Sequence, residues 1–484
     1  MDDNRTSPTG RRVLSVFTLA MINVAMIASL RGLPTMAEYG LTAVFFFVVA
    51  ALVFLIPTAL VSAELATGWP RRGGVYVWVK EAWGPRWGFL ALWLQWFQNV
   101  IWFPTVLSFA AATFAFALSP ALADNKFYAL AVILAVYWGA TLANFRGMRA
   151  SGLISTVGVI GGTLVPGALI IGLGVAWLAL GHPSQVQWSG GAFLPDLSQM
   201  GSVVLAASTL LFFAGMEVSA THAQEVKNPR RDYPKAIFVA TVVVLAVFVL
   251  GTLAIAVVVP REKISLVAGL MQAFTVFLDQ FRLAWLIPVV ALLIAVGVFG
   301  QITTWIAGPS KGLLAVARHG YLPPLLQRVN RHGVQTPILL VQALIVTALS
   351  LVFLLMPTVS SSYWILTALT AQLYLVMYVL LFLSALRLRY SEPGVARAYR
   401  VPGGKVGIWL VAGVATAAAV FAIALGYFPP AQLQTGSVLF YEAFLVVGMV
   451  IVCAVPLLVY QFRRPGWARP VQGDDDEQEA GSGG

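Results

Sequence analysis

LSVFTLAMINVAMIASLRGLPTMAEYG, residues 14 to 40, is long enough to cross a lipid bilayer, yet it is not a plain apolar helix. Its second half carries Arg31, Gly32 and Pro34, where a simple spanning helix has Leu or Val. A charged side chain at mid-bilayer costs about 2.5 to 3.5 kcal/mol on insertion scales, and Gly and Pro weaken the helical hydrogen bonds beside it. Such a segment is tolerated where protein or a wet cavity satisfies the freed backbone groups. We therefore predict a membrane helix that is broken at mid-depth.

A second stretch, Val203 to Ala220 (VVLAASTLLFFAGMEVSA), has the same character, with Gly215 and Glu217 inside apolar sequence. Two interrupted hydrophobic segments in corresponding halves of a membrane protein indicate the binding site of a transporter. The alternative is that Gly and Pro only kink two packed helices, as they do in many membrane proteins.

The composition indicates an integral membrane protein. Of the 484 residues, 59% are hydrophobic and 10% are charged, whereas soluble domains average about 25% charged. The net charge of +11 follows from membrane topology, as shown next, so we expect no nucleic-acid partner. The single cysteine, Cys453, lies in an apolar run, and none of the four histidines has metal-ligand spacing. We therefore predict no cofactor and no bound metal, although a sodium site remains open.

Runs of about 20 apolar residues predict an all-α integral membrane protein with about twelve transmembrane helices. If the N-terminus is inside, the connections after even-numbered helices are cytoplasmic, and these connections and the two tails hold most of the 30 Lys and Arg residues. The external connections hold only Lys126, Arg261, Lys263 and Arg282. The positive-inside rule then predicts a multi-pass protein of the bacterial plasma (inner) membrane with both termini in the cytoplasm.

The same runs set the predicted domain boundaries. These are a cytoplasmic tail over 1–13, a ten-helix transport core over 14–386, two additional transmembrane helices over 407–460 and a disordered cytoplasmic tail over 461–484. The interrupted helices are the first and the sixth, and an odd offset of five makes the two halves of the core an inverted repeat. Two runs on the cytoplasmic side, Gly73 to Trp83 and Leu313 to Arg328, predict short helices that cap the bundle. Near the end of the second helix, Glu64 is interpreted as an interfacial cap.

Several stretches resemble a known transporter family. ELATGWPRRGGVYVWVK (64–80) and GMEVSATHAQEVKNPRRDYPKAI (215–237) resemble signatures of the amino acid-polyamine-organocation transporters. Together with WIAGPSKGLLAVARHGYLP (305–323) and PGGK (402–405), they are similar in particular to the bacterial glutamate/GABA antiporter branch. The resemblance implies a LeuT-type fold of ten core helices plus two, alternating access and exchange of amino acids. Departures from that branch at Gln301 and in IASLRGLPTM leave the amino acid open.

The two breaks predict how an amino acid zwitterion is held. Unpaired backbone N–H groups at a positive half-helix end bind the carboxylate, and carbonyl groups at a negative end bind the ammonium. Two glutamines, on the third and eighth helices, add candidate side-chain contacts, with core packing as the alternative. The predicted substrate-binding residues are Ile27, Ala28, Ser29, Gln98, Phe213, Ala214, Gly215 and Gln301.

Four further residues are predicted to act in gating or in proton linkage. Arg31 has three interpretations: it binds a substrate side-chain carboxylate, it forms an external gate, or it pairs with helix-end carbonyls. Glu217 either exchanges a proton during the cycle or serves as a hydrogen-bonding post for the unwound backbone. Phe212 and Trp305 are candidate hydrophobic closures of the site, with plain packing as the alternative.

The sequence as a whole favours a secondary active amino acid antiporter with glutamate/GABA-like exchange. A proton-coupled symporter or a uniporter of the same superfamily is the alternative. A channel is disfavoured because no charged or carbonyl-filter ring is evident, and a membrane enzyme because polar catalytic pairs are missing. The expected partners are a small-molecule amino acid and membrane lipid, and a homodimer is left open.

Overall fold

The computed structural model describes residues 15–27, 29–71, 73–146, 160–196, 203–219 and 228–468. Within these ranges every regular element is helical, and strand-like pairing is limited to one isolated bridge between His319 and Ala468. Helices are the expected solution for so apolar a chain, because each one satisfies its backbone N–H and C=O groups within its own segment. The all-α prediction is confirmed for the described residues.

We number the helices in chain order. They are α1 (Val16–Ile27), α2 (Leu33–Ala37), α3 (Thr42–Gly68), α4 (Val75–Trp83), α5 (Pro85–Leu118), α6 (Lys126–Phe145), α7 (Gly161–Ala179), α8 (Ser208–Phe212), α9 (Met216–Ser219), α10 (Pro229–Val258), α11 (Gly269–Gln280), α12 (Ile287–Ala317), α13 (Thr336–Ser350), α14 (Val352–Leu355), α15 (Val359–Ser391), α16 (Gly404–Leu425) and α17 (Val438–Gln461). Among the described residues, ten helices are long and apolar enough to cross a membrane: α3, α5, α6, α7, α10, α12, α13 with α14, α15, α16 and α17. The helical pieces of the two interrupted segments are each too short to be counted with them.

Both interrupted segments contain a break. Helix α1 ends at Ile27 and α2 begins at Leu33, with Pro34 in the first turn of α2, where its missing N–H is tolerated. In the second segment, α8 ends at Phe212 and α9 begins at Met216. Between them Gly215 has a φ of +114°, a conformation that side chains with a Cβ rarely adopt.

The two breaks lie against each other. A Cβ atom built on Gly32 would be 2.5 Å from the ring of Phe212, so only glycine fits at this contact. Helix α2 also packs closely against its other neighbours, α10 and α11. A Cβ on Gly251 of α10 would be 2.8 Å from the side chain of Leu33, and one on Gly269 of α11 would be 2.8 Å from Pro34. Small residues therefore fix the position of the first break.

Two short helices are predicted to cap the bundle, and the first, over Gly73 to Trp83, is confirmed as α4. The second, predicted over Leu313 to Arg328, is wrong. Helix α12 continues to Ala317, because Leu313 and Leu314 extend its buried face, and turns rather than a new helix follow.

The interpretation of Glu64 as an interfacial cap is also wrong. Its side chain is 2% exposed and pairs with Arg389 of α15, while Arg397 Nε lies 3.7 Å from its Oε1 atom. The backbone N–H of Val401 donates to Oε2 at 2.8 Å. The carboxylate thus ties the connection between α15 and α16 to the end of α3.

The last helix lies at the periphery of the bundle, where α17 packs on α5 and α15. Cys453 of α17 is half-buried, with Sγ 3.9 Å from the sulfur of Met449. After α17, the Nε2 atom of Gln327 donates to the carbonyl oxygen of Trp467 at 2.8 Å, which holds this end of the described chain against the turns after α12. Residues 1–13 and 469–484 lie outside the described residues.

Candidate functional site

A cavity of about 130 Å³ lies between the two breaks. Its walls come from both interrupted segments and from α5, α10, α12 and α15. The structure brings together residues that are far apart in the sequence, as expected if the breaks form one site. The predicted site residues that line it are Ile27, Ser29, Arg31, Gln98, Phe212, Ala214, Gly215 and Trp305.

Other predicted site residues do not line the cavity. Phe213 is fully buried, with its ring centroid 6.2 Å from that of Phe47 and 5.7 Å from that of Phe248. Gln301 is half-buried on α12, one turn before Trp305, and is not part of the wall. Glu217 lies behind the wall, with 1% of its surface exposed. Ala28 lies outside the described residues.

Arg31 presents a buried cation at the cavity wall, with 6% of its surface exposed. Its Nη1 atom donates to Oγ1 of Thr105 at 2.5 Å, and its guanidinium carbon lies 5.8 Å from the ring centroid of Trp102 and 5.6 Å from that of Tyr363. These contacts orient the guanidinium through one hydrogen bond and two cation–π interactions. A guanidinium has five N–H donors, so donors remain that can bind a carboxylate.

Glu217 is held by three donors from two helices. The hydroxyl of Tyr374 donates to Oε1 at 2.6 Å, Gln95 Nε2 donates to Oε1 at 3.3 Å, and the hydroxyl of Tyr378 donates to Oε2. Tyr378 in turn accepts the backbone N–H of Gly215 at 2.8 Å. This chain of hydrogen bonds links the carboxylate to the unwound backbone of the second break. Such an arrangement can hold that backbone in position.

Aromatic rings enclose the rest of the cavity. The rings of Trp102 and Trp305 lie 5.9 Å apart, and those of Phe212 and Phe248 lie 6.3 Å apart. These apolar walls limit water, so polar groups inside act in a medium of lower dielectric constant. The site therefore combines a guanidinium, residues of the two breaks and, behind Tyr374, a buried carboxyl group.

Sequence reasoning missed several residues of this site. Tyr374 and Tyr378 are spaced by four residues, so they share one face of α15, and that spacing in an apolar helix is a usable signal. Phe248 lies in an almost wholly apolar helix, where nothing in the sequence separates it from its neighbours. Within the described part of the chain, no group of three or more His, Cys, Asp or Glu residues is arranged to hold a metal ion.

Comparison with known proteins gives the family. The model of the amino acid permease family matches residues 14–452. This chain belongs to the amino acid permease family. The resemblance to amino acid-polyamine-organocation transporters is thus confirmed, and with ten apolar helices among its described residues the permease is a multi-pass membrane protein.

Individual relatives of the permease are also transporters. It is 44% identical to an uncharacterized transporter of Legionella pneumophila, over 93% of this chain and 96% of that protein. It is 32% identical to the glutamate/gamma-aminobutyrate antiporter of Lactococcus lactis, over 93% of this chain and 91% of that protein. A probable agmatine/putrescine antiporter of the same bacterium is 25% identical, over 81% of this chain and 83% of that protein.

Proposed function

We propose that this permease is an amino acid antiporter that exchanges glutamate for its decarboxylated product, GABA. The observation that carries the proposal is the position of Arg31, a buried guanidinium with free donor capacity on the wall of the cavity between the two breaks. The 32% identity to a glutamate/gamma-aminobutyrate antiporter over nearly the whole chain supports the same substrate pair.

The chemistry of the two substrates matches the site. Glutamate and GABA share an ammonium group and a carboxylate at opposite ends of the same carbon chain, and decarboxylation removes only the α-carboxylate. In the proposed complex Arg31 binds the shared carboxylate bidentately. The carbonyl groups of Ala214 and Gly215, with the charge of Glu217 behind Tyr374, bind the ammonium. Backbone N–H groups in the break before α2, beginning with that of Ser29, bind the α-carboxylate that only glutamate has, whereas the N–H of Ile27 lies within α1.

The proposed mechanism is alternating access in a LeuT-type fold. The fold would consist of two five-helix inverted repeats and two further helices, twelve crossings in all, with both termini in the cytoplasm. The first and sixth helices would then belong to a bundle that rocks against a scaffold. The direct contact of Gly32 with Phe212 supports movement of the two breaks as one body, because neither can shift far alone.

Proton-coupled symport is the second candidate, and the burial of Glu217 one hydroxyl away from the cavity is the observation that favours it. A carboxylate in this position could carry a proton through the cycle. The two candidates differ in what drives uptake: a substrate on the opposite side of the membrane, or a pH gradient.

Counterflow in proteoliposomes tests the proposal. Vesicles loaded with glutamate, with GABA or with buffer alone are given labelled glutamate outside, with and without a pH gradient. Antiport predicts saturable uptake that depends on internal glutamate or GABA. Uptake that is independent of internal substrate and driven by the pH gradient would support symport, and unsaturable conductance would identify a channel.

A further inference from the structure

A second cavity, of about 690 Å³, lies at the end of the bundle where basic residues collect. Its walls come from α3, α10, the end of α15 and the connection between α15 and α16. Arg230, Arg389 and Arg400 line it, and none of its lining residues within the described ranges is acidic. It shares no lining residue with the cavity at the two breaks.

The buried ion pair beside this cavity leaves positive charge in excess. Two guanidinium groups, of Arg389 and Arg397, share the single carboxylate of Glu64. Arg389 is 8% exposed, and its Nε atom has no hydrogen-bond partner among the described residues. Burial lowers the pKa of Arg397, and its Nη1 atom also has no hydrogen-bond partner among the described residues. An anion at the cavity would relieve this imbalance.

Contacts orient the two exposed arginines, Arg230 and Arg400, and leave some of their N–H donors available. Arg230 Nε donates to the carbonyl oxygen of Ala398 at 3.3 Å, and Arg400 Nη2 donates to two carbonyl oxygens of the same connection at 3.3 and 3.2 Å. Their other guanidinium nitrogens have no hydrogen-bond partner in the described part of the chain. Helix α16 also begins at this wall, with Gly404, so its positive dipole end adds to the field. Several converging N–H donors suit a phosphate group.

An apolar stripe leads away from the cavity along α10. Pro234 lines the cavity, and Phe238 and Val242 follow at intervals of four residues, on the same face of the helix. Their side chains are 68% and 50% exposed. In a membrane helix such residues face lipid, so the basic cavity opens towards acyl chains. A free phosphate ion has no apolar part that could pack against this stripe.

We propose that this cavity binds the phosphate headgroup of an anionic phospholipid, whose acyl chain lies along Phe238 and Val242. Basic pockets between transmembrane helices at the cytoplasmic side are suited to such headgroups. The bound lipid would brace the connection after α15 against the end of α3, beside Glu64. This lipid site is independent of which amino acid the permease transports.

Thermal unfolding of the purified, delipidated full chain tests the site. Phosphatidylglycerol and phosphatidylcholine are added in matched micelles, with inorganic phosphate and glycerol 3-phosphate as soluble probes. The test variant is Arg230→Gln with Arg400→Gln. The control is Arg328→Gln with Arg331→Gln, two exposed arginines at the same end but outside the cavity, with the same change of charge.

Phosphatidylglycerol should raise the Tm of the unmodified protein and of the control by about 3 °C or more over phosphatidylcholine. The Arg230→Gln/Arg400→Gln variant should lose at least half of this rise while keeping its Tm in phosphatidylcholine, and native mass spectrometry should show fewer retained phosphatidylglycerol molecules. If the soluble phosphates raise the Tm equally and through the same arginines, the anion site stands but its ligand is a soluble phosphate. An equal rise in the test variant and the control, or no rise with any anion, overturns the proposal.

Discussion

The hydroxyl of Tyr374 lies 2.6 Å from Oε1 of Glu217 and separates this buried carboxylate from the cavity between the two breaks. Tyr374 lines the cavity, so in the proposed complex its side chain stands between Glu217 and the substrate. The carboxylate accepts hydrogen bonds at both oxygens and, through Tyr378, holds the backbone of Gly215. The arrangement favours the interpretation of Glu217 as a hydrogen-bonding support for the backbone over its interpretation as a proton carrier.

Glu217→Gln tests this assignment. A Gln side chain has the same shape but offers one acceptor oxygen and an NH₂ group that would face a tyrosine hydroxyl. We expect the uptake rate to fall at least about 10-fold, because hydrogen bonds of a buried carboxyl group are lost. The shape of the pH profile of the remaining uptake should not change. A shifted or flattened profile, measured in proteoliposomes from pH 5 to pH 8, would instead assign a proton-carrying role.

Arg31→Gln should remove discrimination between acidic and neutral amino acids. The loss of a bidentate guanidinium–carboxylate contact predicts a KM for glutamate at least about 10-fold higher, with little change in the KM for glutamine. The measurement is competition uptake of the two amino acids. Arg328→Gln, which removes an exposed charge outside the cavity, is the control. An unchanged glutamate-to-glutamine ratio would show that Arg31 has a structural role only.

Gly32→Ala should impair transport through a clash with Phe212. The added methyl group would lie 2.5 Å from the ring, which must then move into the cavity or out of the contact. We expect at least about 10-fold slower exchange, because overpacking displaces groups by fractions of an ångström in a site that needs accurate geometry. Combining Gly32→Ala with Phe212→Leu should recover part of the rate. If the double variant is slower than the product of the single effects, the contact is not the cause.

Gly162→Ala should destabilise the bundle by separating α7 from α12. A Cβ at this position would be 2.4 Å from the Cα atom of Gly297, and backbone cannot move aside as a side-chain tip can. At the neighbouring Gly161, a Cβ would have no atom within 4 Å, so this glycine is the matched control. We expect Gly162→Ala to lower the Tm by several degrees in a thermal unfolding assay and Gly161→Ala to leave it within about 1 °C. Equal Tm values would place the two helices farther apart.

Glu64→Gln should be strongly destabilising, because it leaves Arg389 and Arg397 buried without their anion. Breaking a buried ion pair from one side costs about 3–5 kcal/mol. Glu81→Gln breaks a pair with Arg71 whose side chains are 32% and 64% exposed, and such pairs contribute about 0–1 kcal/mol. Thermal unfolding of both variants in one detergent gives the comparison. Similar Tm losses for the two would mean that the buried carboxylate is not the main support of this connection.

The breaks and much of the cavity could be predicted because their signals are local. Gly and Pro beside a charge are poorly tolerated in a continuous helix that faces lipid, so Arg31 and Gly215 are conspicuous within apolar sequence. Side chains that reach the cavity from elsewhere have no such mark. Phe248 is one apolar residue among many on α10, and Tyr374 acquires its role only because α15 packs beside the second break.

The errors have a common physical origin. Glu64 near the end of a helix has the pattern of an interfacial cap, and its buried partner Arg389 lies 325 positions away along the chain. Helix ends are similarly weak signals, and α12 continues through Leu313 because tertiary burial extends it beyond the expected boundary. Contacts between distant segments decide both cases, and a single sequence does not display them.

The chain contains one sulfhydryl, on Cys453 of the peripheral helix α17, and none of the described residues that line the cavity is a cysteine. A single replacement, Cys453→Ala, therefore yields a background ready for site-directed spin labelling or crosslinking. Pairs of probes placed on α10 and α12 would then report, in a native-like bilayer, the distances that each half of the turnover cycle requires.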